Sequence, residues 1–138
     1  MTKPTDMPPP PTILLVEDDP ILRAQIKEHL EESNFKVLIA ASSRAAYDQL
    51  ATATPDLVIL DLVLPDSSGY EVCEHIRRDP KTKDVPVLVV SARLLPSHRA
   101  QAEEAGATAF LPKPYQRREL MKQLRALLPH SPLEITKS

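Results

Sequence analysis

Residues 57–60 read Leu-Val-Ile-Leu, a run in which every side chain is apolar. A strand with one face in water would alternate apolar and polar residues, whereas this run suits a strand that is covered on both faces. Such strands are typical of parallel sheets that lie between two layers of helices. Four further short runs have the same character: Ile13–Val16, Val37–Ala40, Val87–Val90 and Ala109–Leu111. The sequence therefore predicts a parallel sheet of five strands.

The stretches between these runs carry apolar residues at helical spacing. The first of them places a leucine or isoleucine at every fourth residue, at Leu22, Ile26 and Leu30. Asp19-Pro20 suits the start of this helix, because Asp is a common N-cap residue. Proline is well tolerated at the next position, since it lacks a backbone N–H and the first N–H groups of a helix have no partner within the helix. Parallel strands joined by helices cross over in the right-handed sense. The predicted fold is thus α/β, a three-layer, doubly wound (βα)5 sandwich.

Composition and charge limit the classes of function. The chain has 138 residues, of which 42% are apolar and 26% are charged, as in an ordinary globular domain. Its formal charge of −2 provides no basic excess for binding nucleic acid or an anionic membrane surface. A single cysteine, Cys73, excludes an internal disulfide and a four-thiolate zinc site. No apolar run approaches the length of a membrane span, so we expect a cytoplasmic protein.

We place the domain at residues 12–128. Residues 1–11 contain five prolines, which favour an extended, flexible tail. Such a tail can also dock in an aromatic groove of a partner, although a plain tail is the simpler interpretation. Residues 129–138 carry two prolines and no periodicity, and we expect a second tail there.

Charged and hydroxyl side chains follow four of the five predicted strands. Glu17 and Asp18 follow the first strand and Asp61 follows the third, while Ser91 and Lys113 follow the fourth and the fifth. Taken singly, each has a simpler explanation as a helix cap, a loop acid or a solvated lysine. In an open parallel sheet, however, binding sites lie beyond the carboxyl ends of the strands. We therefore expect these side chains to form one site.

Neighbouring first and third strands would bring three carboxylates together. Two unit charges about 4 Å apart repel by about 4 kcal/mol at an effective dielectric constant of 20. Such a cluster binds either a proton or a hard cation, and Mg²⁺ suits carboxylates that leave room for water. With a lysine and a hydroxyl nearby, the set indicates phosphoryl transfer to an aspartate. Two glycines cannot build a nucleotide-binding loop, so a kinase or an NTPase is not expected.

Residues 12–128 resemble the receiver domain of two-component response regulators. The resemblance rests on four segments, namely Ile13-Leu-Leu-Val-Glu-Asp-Asp-Pro20, Pro55-Asp-Leu-Val-Ile-Leu-Asp-Leu-Val-Leu-Pro-Asp66 with Gly69, Val87-Leu-Val-Val-Ser-Ala92, and Ala107-Thr-Ala-Phe-Leu-Pro-Lys-Pro114. The separations along the chain between Asp61, Ser91 and Lys113 also suit that family. The resemblance implies a flavodoxin-like sheet of strand order 2-1-3-4-5 and a phosphoacceptor signalling function.

The resemblance implies a phosphoacceptor and a metal site. Asp61 would accept the phosphoryl group. Mg²⁺, or Mn²⁺ in its place, would bind directly to Asp18, to Asp61 and to the backbone carbonyl of Val63, and through a water molecule to Glu17. Val63 and Arg93 would also flank the mouth of the site. These assignments follow from the family's pattern and not from spacing alone.

The resemblance also implies residues that bind the phosphoryl group and respond to it. Ser91 and Lys113 would hold the phosphoryl oxygens. Phe110 would be an aromatic switch that turns inward when Ser91 moves toward the phosphate. The Lys113–Pro114 peptide bond would be cis. Only about 5–6% of X–Pro bonds in folded proteins have this conformation.

The family implies a histidine kinase or a phosphotransfer protein as phosphoryl donor. Only ten residues follow position 128, so we expect a stand-alone domain, similar to chemotaxis regulators, that itself binds neither nucleic acid nor membrane. It would signal to an unknown downstream protein, or through a homodimer, by a face made of helix 4, strand 5 and helix 5. A solvated helix face is the simpler interpretation of its basic residues. The residues expected on this face are Leu94, Leu95, His98, Tyr115, Arg118, Lys122 and Arg125.

Two other classes of function stay open. A small phosphatase with an aspartate nucleophile would usually carry an acid two residues after Asp61, where this chain has Val63. A scaffold that keeps the fold without being phosphorylated would not need the acids, the serine and the lysine together. We therefore expect no enzyme activity beyond self-phosphorylation from small donors and loss of the phosphoryl group.

Overall fold

The computed structural model describes residues 9–128, in which five strands alternate with five helices. In chain order they are β1 (Thr12–Val16), α1 (Pro20–Glu32), β2 (Lys36–Ala40), α2 (Ser43–Thr52), β3 (Leu57–Asp61), α3 (Gly69–Arg78), β4 (Val87–Ser91), α4 (Pro96–Ala105), β5 (Ala109–Pro112) and α5 (Arg117–Leu127). Each of the five apolar runs lies inside a strand. The predicted alternation of strands and helices is confirmed.

The sheet is parallel throughout, with the order β2-β1-β3-β4-β5. This is the predicted doubly wound, flavodoxin-like arrangement. β1 and β3 are neighbours, with Val16 opposite Leu60, and the chain leaves them toward opposite edges of the sheet. The carboxyl ends of these two strands therefore border the crevice in which α/β sheets bind ligands.

Two inner strands of the sheet, β3 and β4, are completely covered by helices. All residues of β3 and β4 are buried. In β3, Val58 and Leu60 pack on the side of α2, α3 and α4, whereas Leu57 and Ile59 pack on the side of α1 and α5. Shortening one such side chain to alanine costs about 2–5 kcal/mol. The end of β3 is thus held from both layers.

The outer strands are less covered than the sequence predicts. β2 and β5 both contain partly exposed residues, and Ile39 of β2 is 39% exposed. An outer strand has a neighbour on one side only, and helices cover the middle of a sheet more completely than its edges. The prediction that all five runs are buried on both faces is therefore wrong for β2 and β5.

The ends of the helices follow the local signals in the sequence. Asp19 caps α1, where its carboxylate accepts hydrogen bonds from the N–H groups of Ile21 at 2.9 Å and Leu22 at 3.2 Å. Gly106 ends α4 in the left-handed region, at φ +108°. A residue with a Cβ is strained in that conformation, so the glycine belongs to this turn.

The expected tails fall largely outside the described residues, which exclude 1–8 and 129–138. Among the helices of residues 9–128, none is both long enough and apolar enough to cross a membrane.

Cys73 has a buried thiol, and burial raises its pKa to about 11. A thiol with so high a pKa carries almost no reactive thiolate at neutral pH.

Candidate functional site

The strand-end residues converge as predicted, at the carboxyl edge of the sheet. Glu17 and Asp18 follow β1 directly, Asp61 and Ser91 are the last residues of β3 and β4, and Lys113 follows β5. Asp61 and Ser91 still belong to their strands, because each lies opposite a residue of the next strand. Their backbones are therefore positioned by the sheet itself and not by a loop.

Lys113 joins two of the acids. Its Nζ lies 2.6 Å from Oε1 of Glu17 and 2.8 Å from Oδ2 of Asp61. The Glu17 side chain is only 1% exposed, and that of Lys113 is 18% exposed. Buried charges persist only when they are paired and hydrogen-bonded, and these three groups satisfy that condition together. Lys113 thus provides a positive counter-charge to two of the three acids.

Burial and ion pairing act on the pKa values in opposite directions. Burial raises the pKa of the Glu17 carboxyl above its usual value, and the hydrogen bond from Lys113 offsets this only in part. Burial by itself would lower the pKa of Lys113, but the hydrogen bonds to Asp61 and Glu17 raise it above its usual value. Lys113 therefore keeps its charge throughout the physiological pH range.

Three carboxylates could hold a divalent cation here. One oxygen from each of Glu17, Asp18 and Asp61 lies within 4.8 Å of the others. Asp18 is exposed while the other two are buried, so one side of the cluster is open to water. Hard oxygen ligands beside water are the surroundings that Mg²⁺ prefers. The donor set therefore fits Mg²⁺, and both oxygens of Asp61 have lone pairs beyond those used by Lys113 and the Val63 N–H.

Ser91 lies on the floor of the site. Its side chain is fully buried, and its Oγ accepts a hydrogen bond of 3.1 Å from the N–H of Arg93. The backbone N–H of Lys113 donates to the Ser91 carbonyl at 2.9 Å, which ties the start of the β5–α5 loop to β4. Because the Ser91 Oγ is the acceptor in the bond with Arg93, its hydroxyl can still donate a hydrogen bond of its own.

Of the remaining predicted residues, Val63 contacts the acids through its backbone N–H, which donates a hydrogen bond of 3.0 Å to Oδ1 of Asp61. Val63 is 50% exposed, and Arg93, two residues after Ser91, is also exposed. The Lys113–Pro114 peptide bond is cis. Phe110 packs against the core on the side of α2, α3 and α4, and the guanidinium of Arg99 lies over its ring at 4.9 Å from the centroid.

Arg23 supports the site and was not identified from the sequence. Its Nη1 donates to the backbone carbonyls of Glu17 at 2.9 Å and Asp18 at 3.2 Å. The Glu17 carboxylate in turn accepts a hydrogen bond of 3.2 Å from the N–H of Asp19. An arginine at the fourth residue of an amphipathic helix carries no local signal for such a contact, because the contact depends on how the β1–α1 loop packs against the helix.

Gly69 allows the loop after Asp61 to turn back closely on its strand. Its N–H donates to the carbonyl of Leu62 at 2.9 Å. A Cβ at this position would collide with the backbone carbonyl oxygen of Asp61 and would lie 2.7 Å from the Cα of Leu62. The sequence shows Gly69 as one of only two glycines, but its role depends on this approach between two segments.

One residue expected on the helix 4, strand 5 and helix 5 face lies elsewhere. Tyr115 packs against the core on the side of α1 and α5, and its hydroxyl is buried without a hydrogen-bond partner within residues 9–128. It lines a cavity of about 520 Å³ together with Leu22 and Ile26 of α1. The expectation for Tyr115 is therefore wrong, because the turn after Pro114 directs the side chain toward α1. Leu95, by contrast, is 63% exposed at the start of α4.

Replacing Lys113 by methionine should lower the free energy of unfolding by about 1–3 kcal/mol at neutral pH, because it leaves two buried carboxylates without a counter-charge. In the wild type, the pKa of Lys113 is higher in the folded chain than in the unfolded chain, so the charged lysine stabilises the fold. This contribution is complete below the ordinary lysine pKa and is lost as the pH rises through the raised pKa of the folded chain. In the variant, the penalty should shrink toward acid pH, where the Glu17 carboxyl, whose pKa is raised by burial, becomes protonated. Urea unfolding at several pH values measures both effects.

Lys27→Met is the matched control, since Lys27 forms an exposed ion pair with Glu31 at 2.8 Å. Exposed pairs of this kind contribute about 0–1 kcal/mol. Equal losses of stability in the two variants would contradict a special role of Lys113 in the site.

Comparison with known proteins agrees with this geometry. The family model for the response regulator receiver domain matches residues 13–125. Among curated proteins, the response regulator MprA of Mycolicibacterium vanbaalenii is 39% identical over 119 residues, which are 86% of this chain and 51% of that protein. The phosphate regulon transcriptional regulatory protein PhoB of Pseudomonas aeruginosa is 34% identical over 117 residues, 85% of this chain and 51% of that protein. The chain thus spans about half the length of these relatives.

Solved structures show the same fold. A putative response regulator from Chloroflexus aurantiacus superimposes with a TM-score of 0.82 at 33% identity, covering 88% of this chain and 99% of that one. The receiver domain of the sensor histidine kinase PA1611 from Pseudomonas aeruginosa, with a magnesium ion coordinated in its active site cleft, gives a TM-score of 0.81 at 28% identity and covers 87% of this chain and 98% of that one. Fold, site geometry and family match agree, and the chain belongs to the response regulator receiver domain family.

Proposed function

We propose that this chain is a phosphoacceptor switch in which Asp61 receives a phosphoryl group in the presence of Mg²⁺. Receiver domains are signalling domains that are in general phosphorylated on aspartate and interact with histidine kinases or phosphotransfer proteins. The observation that carries the proposal for this chain is the position of Asp61. Its carboxylate lies at the sheet edge 2.8 Å from Lys113 and within 4.8 Å of oxygens of Glu17 and Asp18.

The proposed reaction moves a phosphoryl group from nitrogen to oxygen. A carboxylate oxygen of Asp61 attacks phosphorus, the P–N bond of a phosphohistidine on the donor breaks, and the departing imidazole takes up a proton. The product is an acyl phosphate on Asp61. Val63, two residues later, offers no side chain to protonate a leaving group, so the site supports transfer to the protein better than hydrolysis of small phosphate esters.

The residues around Asp61 would bind the metal ion and the phosphoryl group in this reaction. Asp18, Asp61 and the backbone carbonyl of Val63 would hold Mg²⁺ directly, and Glu17 would hold it through a water molecule. When bound, the cation neutralises charge on the transferring group, and Mn²⁺ would suit the same oxygen ligands. Lys113 would pair with a phosphoryl oxygen, since its Nζ already contacts the acceptor carboxylate.

The proposed output depends on Ser91 and Phe110. Ser91 would exchange its bond with the Arg93 N–H for one to a phosphoryl oxygen, and Phe110 would turn toward the space that Ser91 leaves. This change would alter the face made by α4, β5 and α5, on which Arg118, Lys122 and Arg125 form a basic stripe at helical spacing. The stripe would contact a downstream protein or a second copy of the chain.

The wider assignments are also proposals. Residues 12–128 would form a receiver domain with tails on both sides, acting in the cytoplasm without binding nucleic acid or membrane itself. The phosphoryl donor would be a histidine kinase or a phosphotransfer protein. The chain spans about half of the length of the curated relatives that it matches.

Self-phosphorylation from acetyl phosphate tests the proposal directly. With Mg²⁺ present, intact-mass spectrometry should show one phosphoryl adduct, which hydroxylamine should remove because an acyl phosphate is labile to it. A chelator should suppress the adduct. Absence of any adduct with Mg²⁺ would favour a phosphorylation-independent scaffold, and sustained turnover of small phosphomonoesters would favour a phosphatase.

A further inference from the structure

The loop that follows Asp61 carries one proposed metal ligand, the backbone carbonyl of Val63. At its base the loop is closed by the Gly69 N–H, which donates to the Leu62 carbonyl at 2.9 Å, and by a bridge between Val63 and Ser68. The Val63 N–H donates to Oδ1 of Asp61 at 3.0 Å. The backbone of Val63 is thus directly joined to the acceptor carboxylate, and its position depends on how the rest of the loop is held.

The tip of this loop reaches the N-terminus of α2 through Asp66. Oδ1 of Asp66 accepts a hydrogen bond of 2.9 Å from the N–H of Ser43, and Oδ2 accepts one of 3.0 Å from the N–H of Arg44. The first N–H groups of a helix have no acceptor within the helix, and a carboxylate there is also stabilised by the helix dipole. The bonds from Arg44 and Ser43 lower the pKa of the Asp66 carboxyl below its usual value, so Asp66 is ionised at neutral pH.

A second contact fastens the same tip to the same helix. The hydroxyls of Ser67 and Ser43 form a short hydrogen bond, and Ser43 is buried. α2 in turn is anchored in the core by Ala46 and Leu50. The loop tip is therefore tied to an element that cannot move without disturbing the core.

We infer that Asp66 is a positioning residue for the metal site: by holding the loop tip on α2, it fixes the backbone of Val63 beside Asp61. This inference rests on the proposed function, because the benefit of a fixed Val63 carbonyl is tighter binding of Mg²⁺. Ligands held in place before the metal arrives bind it more tightly, since less freedom is lost on binding. The apolar anchor of the loop, Leu64, is buried in the core and does not depend on Asp66. Loss of Asp66 should therefore loosen the loop without unfolding it.

The test compares Asp66→Ala with Asp48→Ala in the full chain. Asp48 is an exposed acid of α2 that lines a surface pocket together with Ser43 and Asp66. Its carboxylate makes no hydrogen bond within residues 9–128, so its loss removes an equal charge from the same region. The first readout is amide hydrogen exchange at Val63 without metal. We expect exchange to become several-fold faster in Asp66→Ala and to stay unchanged in Asp48→Ala.

The second readout is the dissociation constant of Mg²⁺, measured by calorimetry or NMR titration. The dissociation constant should rise about five-fold in Asp66→Ala, which corresponds to about 1 kcal/mol, the typical net contribution of one hydrogen bond. In Asp48→Ala it should rise less than two-fold. Asp66→Asn keeps one acceptor oxygen and should fall between wild type and Asp66→Ala. Saturating Mg²⁺ should restore the rate of labelling by acetyl phosphate in Asp66→Ala, which general structural damage would not allow.

Equal effects of Asp66→Ala and Asp48→Ala on amide exchange at Val63 and on the dissociation constant of Mg²⁺ would overturn the inference. Asp66 would then act only through its negative charge, as Asp48 does. Unchanged exchange at Val63 in Asp66→Ala would overturn it as well. If the wild-type chain binds no Mg²⁺, the proposed function fails instead, and faster exchange in Asp66→Ala alone would still support the role of Asp66 in holding the loop.

Discussion

Asp61→Asn is expected to reduce labelling by acetyl phosphate to the background of the assay. An amide oxygen is far less nucleophilic than a carboxylate, so the acyl phosphate cannot form at this position. The fold should survive, because the asparagine carbonyl can still accept the hydrogen bond from Val63 and Lys113 keeps its pair with Glu17 at 2.6 Å. Intact-mass spectrometry and a thermal melt on the same sample measure the two effects.

Asp19→Asn is the matched control for this experiment. It makes the same chemical change two residues from Glu17, and asparagine caps helices as well as aspartate does, so the bonds to Ile21 and Leu22 should persist. Labelling of this variant should remain close to that of the wild type. A hydroxylamine-labile adduct that persists in Asp61→Asn would place the phosphoacceptor on another residue and defeat the assignment.

Gly69→Ala should cost about 3 kcal/mol of unfolding free energy, at the upper end of what overpacking produces. The atoms that the new Cβ would meet are the carbonyl oxygen of Asp61 and the Cα of Leu62, which belong to the backbone and cannot rotate away. In a domain of this size the melting temperature should fall by roughly 10 °C. Labelling of Asp61 should also slow at temperatures where the variant is folded, because the methyl group displaces the acceptor's own peptide unit.

Ser68→Ala provides the comparison for Gly69→Ala. Ser68 precedes α3, and its side chain makes no capping hydrogen bond, so the change should stay within about 0.5 kcal/mol. If Gly69→Ala is as stable and as readily labelled as Ser68→Ala, the loop after Asp61 is more adaptable than the structure indicates.

The sheet and the location of its site could be predicted because their signals are local. Short apolar runs indicate buried strands, and the helical spacing between them makes those strands parallel. The carboxyl ends of parallel strands meet at one edge, so Asp61, Ser91 and Lys113 follow from their positions after three such runs. The roles given to these residues came from the resemblance to receiver domains.

Contacts between distant segments could not be read in this way. The sequence does not show that Lys113 lies 2.6 Å from Glu17, that Arg23 binds the carbonyls of the β1–α1 loop, or that Tyr115 turns toward α1. The apolar pattern of the runs also does not show which strands lose part of their cover, and the order that places β2 and β5 at the edges came from the resemblance to receiver domains.

Sequence alone therefore determined the order of strands and helices and the residues at the strand ends. Both are visible in the local pattern of apolar residues, which are continuous in buried strands and recur every three to four residues in helices. The tertiary structure decided how the site is held: the close approach at Gly69, the tie from Asp66 to α2, and the ammonium between two carboxylates. Each of these depends on two segments that are far apart in the chain and meet only after the sheet has formed.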